Sequence, residues 1–188
     1  LLGAYRDSVA CYNTSGGFLH TPLEQLLVNA AASRERGIGG IKLKVGQPDR
    51  ALDIKRVQAV RKHLGDEAPL MVDANQQWDR PQAMRACRAL EEFDLVWIEE
   101  PLDCVDFEGH AQLAERFDTP IATGEMLTSY NEHAQLILLN GSDYVQADAP
   151  RVGGISEFLK IMALAEMKGR KLARHFAMEI HLPLCAAY

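Results

Sequence analysis

Three short apolar runs in this chain each end in a carboxylate, and they do so at one step. Leu70-Met71-Val72 runs into Asp73, Leu95-Val96-Trp97-Ile98 into Glu99, and Ile121-Ala122-Thr123-Gly124 into Glu125; the acids are 26 residues apart both times. A short apolar run between turn signals reads as a buried strand, and such a step leaves room for one strand, one helix and two loops. Strands alternating with helices build a parallel sheet. When such a sheet curls into a barrel, its site lies at the C-terminal ends of the strands. The repeat therefore brings three hard oxygen ligands to one rim, where they are expected to converge on a point that suits Mg²⁺. Any one of these acids alone would read as a helix cap or a solvated turn. The shared period sets the three apart.

The same unit recurs along the rest of the chain. Val9–Tyr12 is expected as a first strand, followed by the loop Thr14-Ser15-Gly16-Gly17. A helix to about Arg36 follows, capped at Thr21 with Pro22 in the favoured first position. Strands are expected at Ile41–Val45, Leu70–Val72, Leu95–Ile98, Pro120–Thr123, Tyr144–Gln146 and Lys171–Ala173. The intervening helices run from Asp49 to Leu64-Gly65, then over about Arg80–Phe93, Phe107–Phe117, Tyr130–Leu139 and Ile155–Lys168, with a last segment at His181–Tyr188. The fold class is α/β, a TIM-type (β/α) barrel. Residues 1–188 form one partial barrel domain with about seven of eight units. The chain opens on Leu1 and stops soon after a site-bearing strand, so it reads as a fragment.

Composition removes several function classes. The net charge of −6, with basic residues dispersed, argues against nucleic acid as a partner. The densest basic group, Lys168, Arg170, Lys171 and Arg174, surrounds a helix end, where cations are favoured. No apolar run approaches membrane-spanning length and no secretory signal is visible. Cys11, Cys87, Cys104 and Cys185 are spread widely with no C-x-x-C pair, which favours free thiols in a reducing cytoplasm over disulfides or a zinc site.

Other groups fall at the same strand ends. Alternation along Lys42-Leu43-Lys44 puts both lysines on one face, the interior in a barrel. Neighbouring ammonium groups lower each other's pKa, which would let one serve as a base near neutral pH. Taken alone, the strand reads equally well as an exposed edge with solvated lysines. Asn75 follows Asp73 by two, Asp148 ends the sixth run ahead of Gly153-Gly154, and His175 ends the seventh. His175 lies one further strand–helix step beyond Asp148. Adjacent strands would bring the pair into hydrogen-bond reach, with the carboxylate fixing the imidazole tautomer.

Lys42-x-Lys44, Val72-Asp73-x-Asn75, Trp97-Ile98-Glu99-Glu100-Pro101, Gly124-Glu125, Asp148-Ala149 with Gly153-Gly154, and His175 resemble the enolase superfamily. In order and spacing they resemble its mandelate racemase subgroup, over essentially the whole chain. The stretches Cys11–Phe18, Asp73–Trp78 and His175–Glu179 resemble the talarate/galactarate dehydratases within it.

The resemblance implies a Mg²⁺-dependent hydro-lyase acting on a small carboxylate, an acid sugar. Asp73, Glu99 and Glu125 would hold the metal. Lys44 and His175 would be the acid/base groups on the two faces of the substrate, with Asp148 orienting His175 and Lys42 tuning Lys44. Asn75, Thr14 and Ser15 would contact substrate, although for Thr14 and Ser15 an ordinary polar turn is an equal reading. It also implies a homo-oligomer, an N-terminal capping domain that these residues lack, and an eighth strand carrying a further Glu. Three positions depart from the pattern: Ala147 and Arg174 stand where relatives carry Pro, and Pro183 where the dehydratases carry His. A racemase, epimerase or cycloisomerase of the same fold, and a catalytically inactive truncated paralogue, are the alternative readings.

Overall fold

The computed structural model describes residues 2–3 and 5–187. Its strands are β1 (Ile41–Lys44), β2 (Leu70–Asp73), β3 (Ile98–Glu99), β4 (Ile121–Thr123), β5 (Tyr144–Val145) and β6 (Lys171–Leu172). All pair in parallel, in sequence order, in one six-stranded sheet. Helix α1 (Leu23–Glu35) precedes β1. The crossovers are α2 (Arg50–Leu64), α3 (Arg80–Leu90, extended by a 3-10 turn over Glu91–Phe93), α4 (Phe107–Arg116), α5 (Tyr130–Leu138) and α6 (Ile155–Met167). Helix α7 (Met178–Ala186) follows β6. One helix per crossover with neighbouring strands in chain order is barrel wiring, so the α/β barrel-type reading holds.

The expected first strand does not form. Val9–Tyr12 carries no ladder; a single parallel bridge joins Asn13 to Ile41. Asn13 N–H donates to Gly40 O at 2.8 Å and Lys42 N–H to Asn13 O at 2.9 Å. The Asn13 side chain then accepts from Ser15 N–H at 2.9 Å, an Asx turn that curls the chain away before a second rung can form. Other boundaries differ: the strand expected at Leu95–Ile98 is ordered as a ladder only over Ile98–Glu99. Pro22 is the N-cap of α1, with no side-chain cap hydrogen bond from Thr21 or any other residue described there. Helix α7 starts at Met178, three residues before the expected segment, and runs through Pro183. Pro183 lies on the exposed side of α7, and its carbonyl still accepts from Ala187 N–H at 3.2 Å.

Local chemistry explains most helix starts. Asp79 and Gln82 form a reciprocal capping box at α3, while Asp49, Asp106 and Ser129 accept from first-turn amides of α2, α4 and α5. Buried positions then recur at helical spacing: Ala83, Ala86, Cys87 and Leu90 in α3, and Phe158, Ile161, Met162 and Ala165 in α6. Each large side chain so buried contributes roughly 1.5–3 kcal/mol.

Strand parity divides the sheet into two faces. Leu43, Leu70, Val72, Ile98 and Ile121 join the core beneath α1–α4, and Val145 and Ala147 that beneath α6 and α7. Met71, Trp97 and Ala122 pack on the opposite, interior face with Tyr12, Tyr144 and Ala173. Among the described residues no helix is long and apolar enough to cross a membrane. All four cysteines are free thiols, as expected.

Candidate active site

The interior face opens into a cavity of about 710 Å³ whose wall includes Lys42, Lys44, Asp73, Glu99, Glu125, Gln146 and His175. Register puts Lys44, Asp73 and Glu99 in one row across β1, β2 and β3. Parity turns their side chains to the cavity together with Lys42.

Glu125 reaches the cavity by another route. The same row continues to Ala122, so Glu125 lies three residues beyond it, past the end of β4. With Ala122 on the interior face, unbroken alternation would send Glu125 outward. Gly124 interrupts the alternation at φ +126°, a backbone region open mainly to glycine. A Cβ there would stand 3.3 Å from His133 Nε2 and 3.4 Å from Gln146 N.

Lys42 Nζ bonds Glu99 Oε1 and lies 3.2 Å from Asp73 Oδ2, while Lys44 Nζ bonds the same Asp73 oxygen. Burial alone would lower the pKa of Lys42, but the Glu99 and Asp73 carboxylates outweigh it and hold the ammonium up. The mutual lowering expected from the lysine pair therefore does not govern Lys42. Burial would raise Asp73, yet Lys42 and Lys44 bring it below its ordinary value. Glu99 goes the other way: burial outweighs Lys42, the Asp73 charge adds to it, and the carboxyl is pushed up to about 8. Two carboxylates share the Lys42 ammonium, and the more deeply buried one is left short of positive charge.

Donor type and position suit a divalent metal, since two of the three carboxylates already close on one cationic point. Asp73, Glu99 and Glu125 do not all meet, however. Among the described residues no three His, Cys, Asp or Glu side chains stand together as a metal cage. Asp73 and Glu99 close on the lysines, whereas Glu125 Oε2 lies 3.5 Å from His175 Nε2.

The expected dyad is formed. His175 Nδ1 and Asp148 Oδ2 are 2.9 Å apart, and Asp148 is buried behind the imidazole. A carboxylate can only accept here, which fixes the proton of a neutral His175 on Nδ1 and leaves Nε2 toward Glu125 and the cavity. Lys44 on β1 and His175 beyond β6 thus reach one cavity from opposite ends of the sheet.

Thr14 is on the cavity wall; Ser15 and Asn75 are not among its lining residues. Ser15 is tied into the Asx turn, and Asn75 is exposed, with its backbone N–H donating to Asp73 Oδ1 at 2.9 Å. Arg174 also lines the cavity, and its charge opposes the burial that raises the Cys185 thiol.

Three groups escaped the sequence reading. Trp97 Nε1–H donates to Glu99 Oε2 at 2.9 Å, and buried Gln146 supports the same carboxylate. Both are two residues before a strand-end acid, so alternation was the signal. Glu100, buried at φ +41°, accepts from Gln76 at 3.0 Å. Burial, then the Glu125 charge, pushes Glu100 up to about 7.

Comparison with known proteins agrees with this geometry. Over all 188 residues the chain is 73% identical to L-talarate/galactarate dehydratase of Salmonella typhimurium, covering 47% of that protein. It is 39% identical over 176 residues to 3,6-anhydro-alpha-L-galactonate cycloisomerase of Streptomyces coelicolor, covering 93% of this chain and 48% of that one. Its structure superposes on L-talarate dehydratase from Polaromonas sp. JS666, solved with Mg and L-glucarate, with a TM-score of 0.97 and 73% identity. That superposition covers the whole of this chain and 52% of that one, so the chain spans about half the length of the relatives it matches. Residues 25–188 match the family described as enolase C-terminal domain-like. With the acid row, the two lysines and the Asp148–His175 pair on one rim, the chain belongs to the enolase C-terminal domain-like family.

Proposed function

We propose that the protein containing this chain is a Mg²⁺-dependent acid-sugar dehydratase of the galactarate/talarate type. The observation that carries the reading is one cavity with an acid row in its wall, Lys44 at one end and the Asp148-backed His175 at the other. Asp73, Glu99 and Glu125 would hold a Mg²⁺, which supplies positive charge to the substrate carboxylate as its α-carbon loses a proton. Lys44 or His175 removes that proton, according to which face of the substrate bears it. His175 is suited to passing the proton on because Asp148 fixes its orientation and leaves Nε2 toward the cavity. Transfer to the β-hydroxyl lets it depart as water, and the enol left behind tautomerises to a 2-keto acid. Lys42 holds positive charge beside Asp73 and Glu99. Thr14, on the cavity wall, would meet the polyol; Asn75 and Ser15 would serve only after moving. The reading carries with it one partial barrel domain in residues 1–188, a homo-oligomer and a cytoplasmic setting, the last supported by the four free thiols.

The test is to incubate the whole protein with Mg²⁺ and galactarate or L-talarate and to follow the 2-keto acid. Lys44→Ala and His175→Asn should each lower turnover roughly 10²–10⁴-fold. Deuterium exchange at the substrate α-carbon that proceeds at wild-type rate in both variants would remove the two-base assignment. Bases at both ends of the cavity also suit epimerisation or cycloisomerisation, and the 39% identical cycloisomerase favours that second reading. Formation of an isomer in place of a keto acid would select it.

A further inference from the structure

We infer that His181 is a positioning residue for the Asp148–His175 pair, a clamp that fixes the backbone immediately after each member. His181 is buried, at 1% exposure. Its Nε2 accepts from Ala149 N–H at 3.0 Å, and its Nδ1 lies 2.8 Å from Phe176 O. Ala149 follows Asp148 and Phe176 follows His175, so one imidazole joins the two loops that carry the pair. The partners leave no choice of tautomer. A backbone amide can only donate and a carbonyl can only accept, so His181 is neutral with its proton on Nδ1.

The loop it holds would not keep its shape unaided. Phe176 and Ala177 both have left-handed backbone, at φ +48° and +37°, where neither residue type is favoured. The N-cap of α7 is Ala177, which has no capping side chain. His181, in the first turn of α7, reaches back to the carbonyl just outside the helix, and Phe158 of α6 packs on its ring with centroids 5.3 Å apart. The imidazole therefore ties α7 and the His175 loop to the β5–α6 loop. The 2.9 Å contact between His175 and Asp148 depends on the separation of those loops.

The inference rests on the reading of His175 as an acid/base group, and its test separates the two claims. In the whole protein, His181→Phe keeps an aromatic ring against Phe158 and removes both hydrogen bonds. His181→Gln keeps one donor and one acceptor. In His181→Phe, amide exchange at Ala149 should rise at least about tenfold. At fixed pH the ¹⁵N signals of the His175 ring should move off their hydrogen-bonded positions, and kcat should fall roughly 10–100-fold at unchanged Mg²⁺ affinity. His181→Gln should recover most of each effect. His175 signals left in place by His181→Phe, equal damage in both variants, or joint loss of Mg²⁺ binding would overturn the assignment. The wild-type protein gives a reading that needs no variant: ¹⁵N signals of His181 should show a neutral ring protonated on Nδ1, and a proton on Nε2 would refute the clamp. If His175 shifts as described while no diacid is dehydrated, the clamp stands and the proposed substrate falls.

Discussion

Gly124 does for Glu125 what strand alternation does for Asp73 and Glu99. The two strand-borne acids need no special backbone, because parity with Met71 and Trp97 already turns them inward. Glu125, three residues past their row, needs a left-handed step. The even spacing of 26 residues made the acids visible in sequence and hid this difference, because spacing along the chain records neither register nor φ. His175 is legible for the same reason as the acids, as a polar residue ending a strand-forming run, whereas the lysines show through the two-residue alternation of Lys42-Leu43-Lys44. Trp97 is not legible, because an indole in an apolar run passes for core until its N–H is seen on Glu99. Gly124→Ala should destabilise the whole protein by about 1–3 kcal/mol through backbone strain. It should also weaken Mg²⁺ binding, because Glu125 is displaced; denaturant unfolding and metal calorimetry on one sample check both, and a strained Ala with wild-type metal affinity would refute the positioning role. Trp97→Phe keeps an aromatic ring between Tyr12 and Tyr144 and removes the N–H, together with part of the indole's packing volume. Roughly 10–100-fold weaker Mg²⁺ binding is expected in that variant.

Three helices repeat one device at their starts. His110 in α4, His133 in α5 and His181 in α7 each occupy the fourth helical position, and each places Nδ1 within 2.9 Å of the carbonyl at or just before the N-cap. The N-caps Asp106 and Ser129 accept from first-turn amides through their side chains, whereas α7 has no such cap and begins three residues before the segment expected from the sequence. In His110 and His133 the Nε2 atom is buried without a hydrogen-bond partner. Burial holds both below the ordinary histidine value, ahead of the neighbouring carbonyls and carboxylates that work against it. The sign for stability follows. The unfolded chain takes up protons below about pH 6.5 while the folded imidazoles resist them, so stability is lost as pH falls through that range and is unaffected above it. The midpoint of thermal unfolding should drop more steeply between pH 7 and pH 5 in the wild type than in the His110→Gln, His133→Gln double variant. Parallel slopes would show that the two histidines carry none of the acid sensitivity.

At the scale of the molecule, the parallel order of the strands followed from the alternation of short apolar runs with capped amphipathic helices. What that alternation could not show was how far each strand pairs. The 9–12 segment has strand composition, yet the Asx turn at Asn13 leaves it a single bridge to β1. At the other side of the sheet, β6 pairs with β5 alone among the described residues. Beyond it Phe176, Met178, Ile180 and Leu182 are at least 40% exposed. A barrel satisfies its edge strands only by pairing the last with the first, and unpaired edges beside apolar surface invite association. The 188-residue segment expressed alone should therefore self-associate at micromolar concentration and form no keto acid from galactarate, although it carries the acid row, both lysines and the dyad. Light scattering coupled to gel filtration reads the first expectation and the keto-acid assay the second. A monodisperse monomer that turns over galactarate at the rate of the whole protein would show that the open edge costs nothing and that the site is complete as it stands. Restored turnover on adding the remainder of the protein in trans would instead show that the site depends on residues beyond these 188.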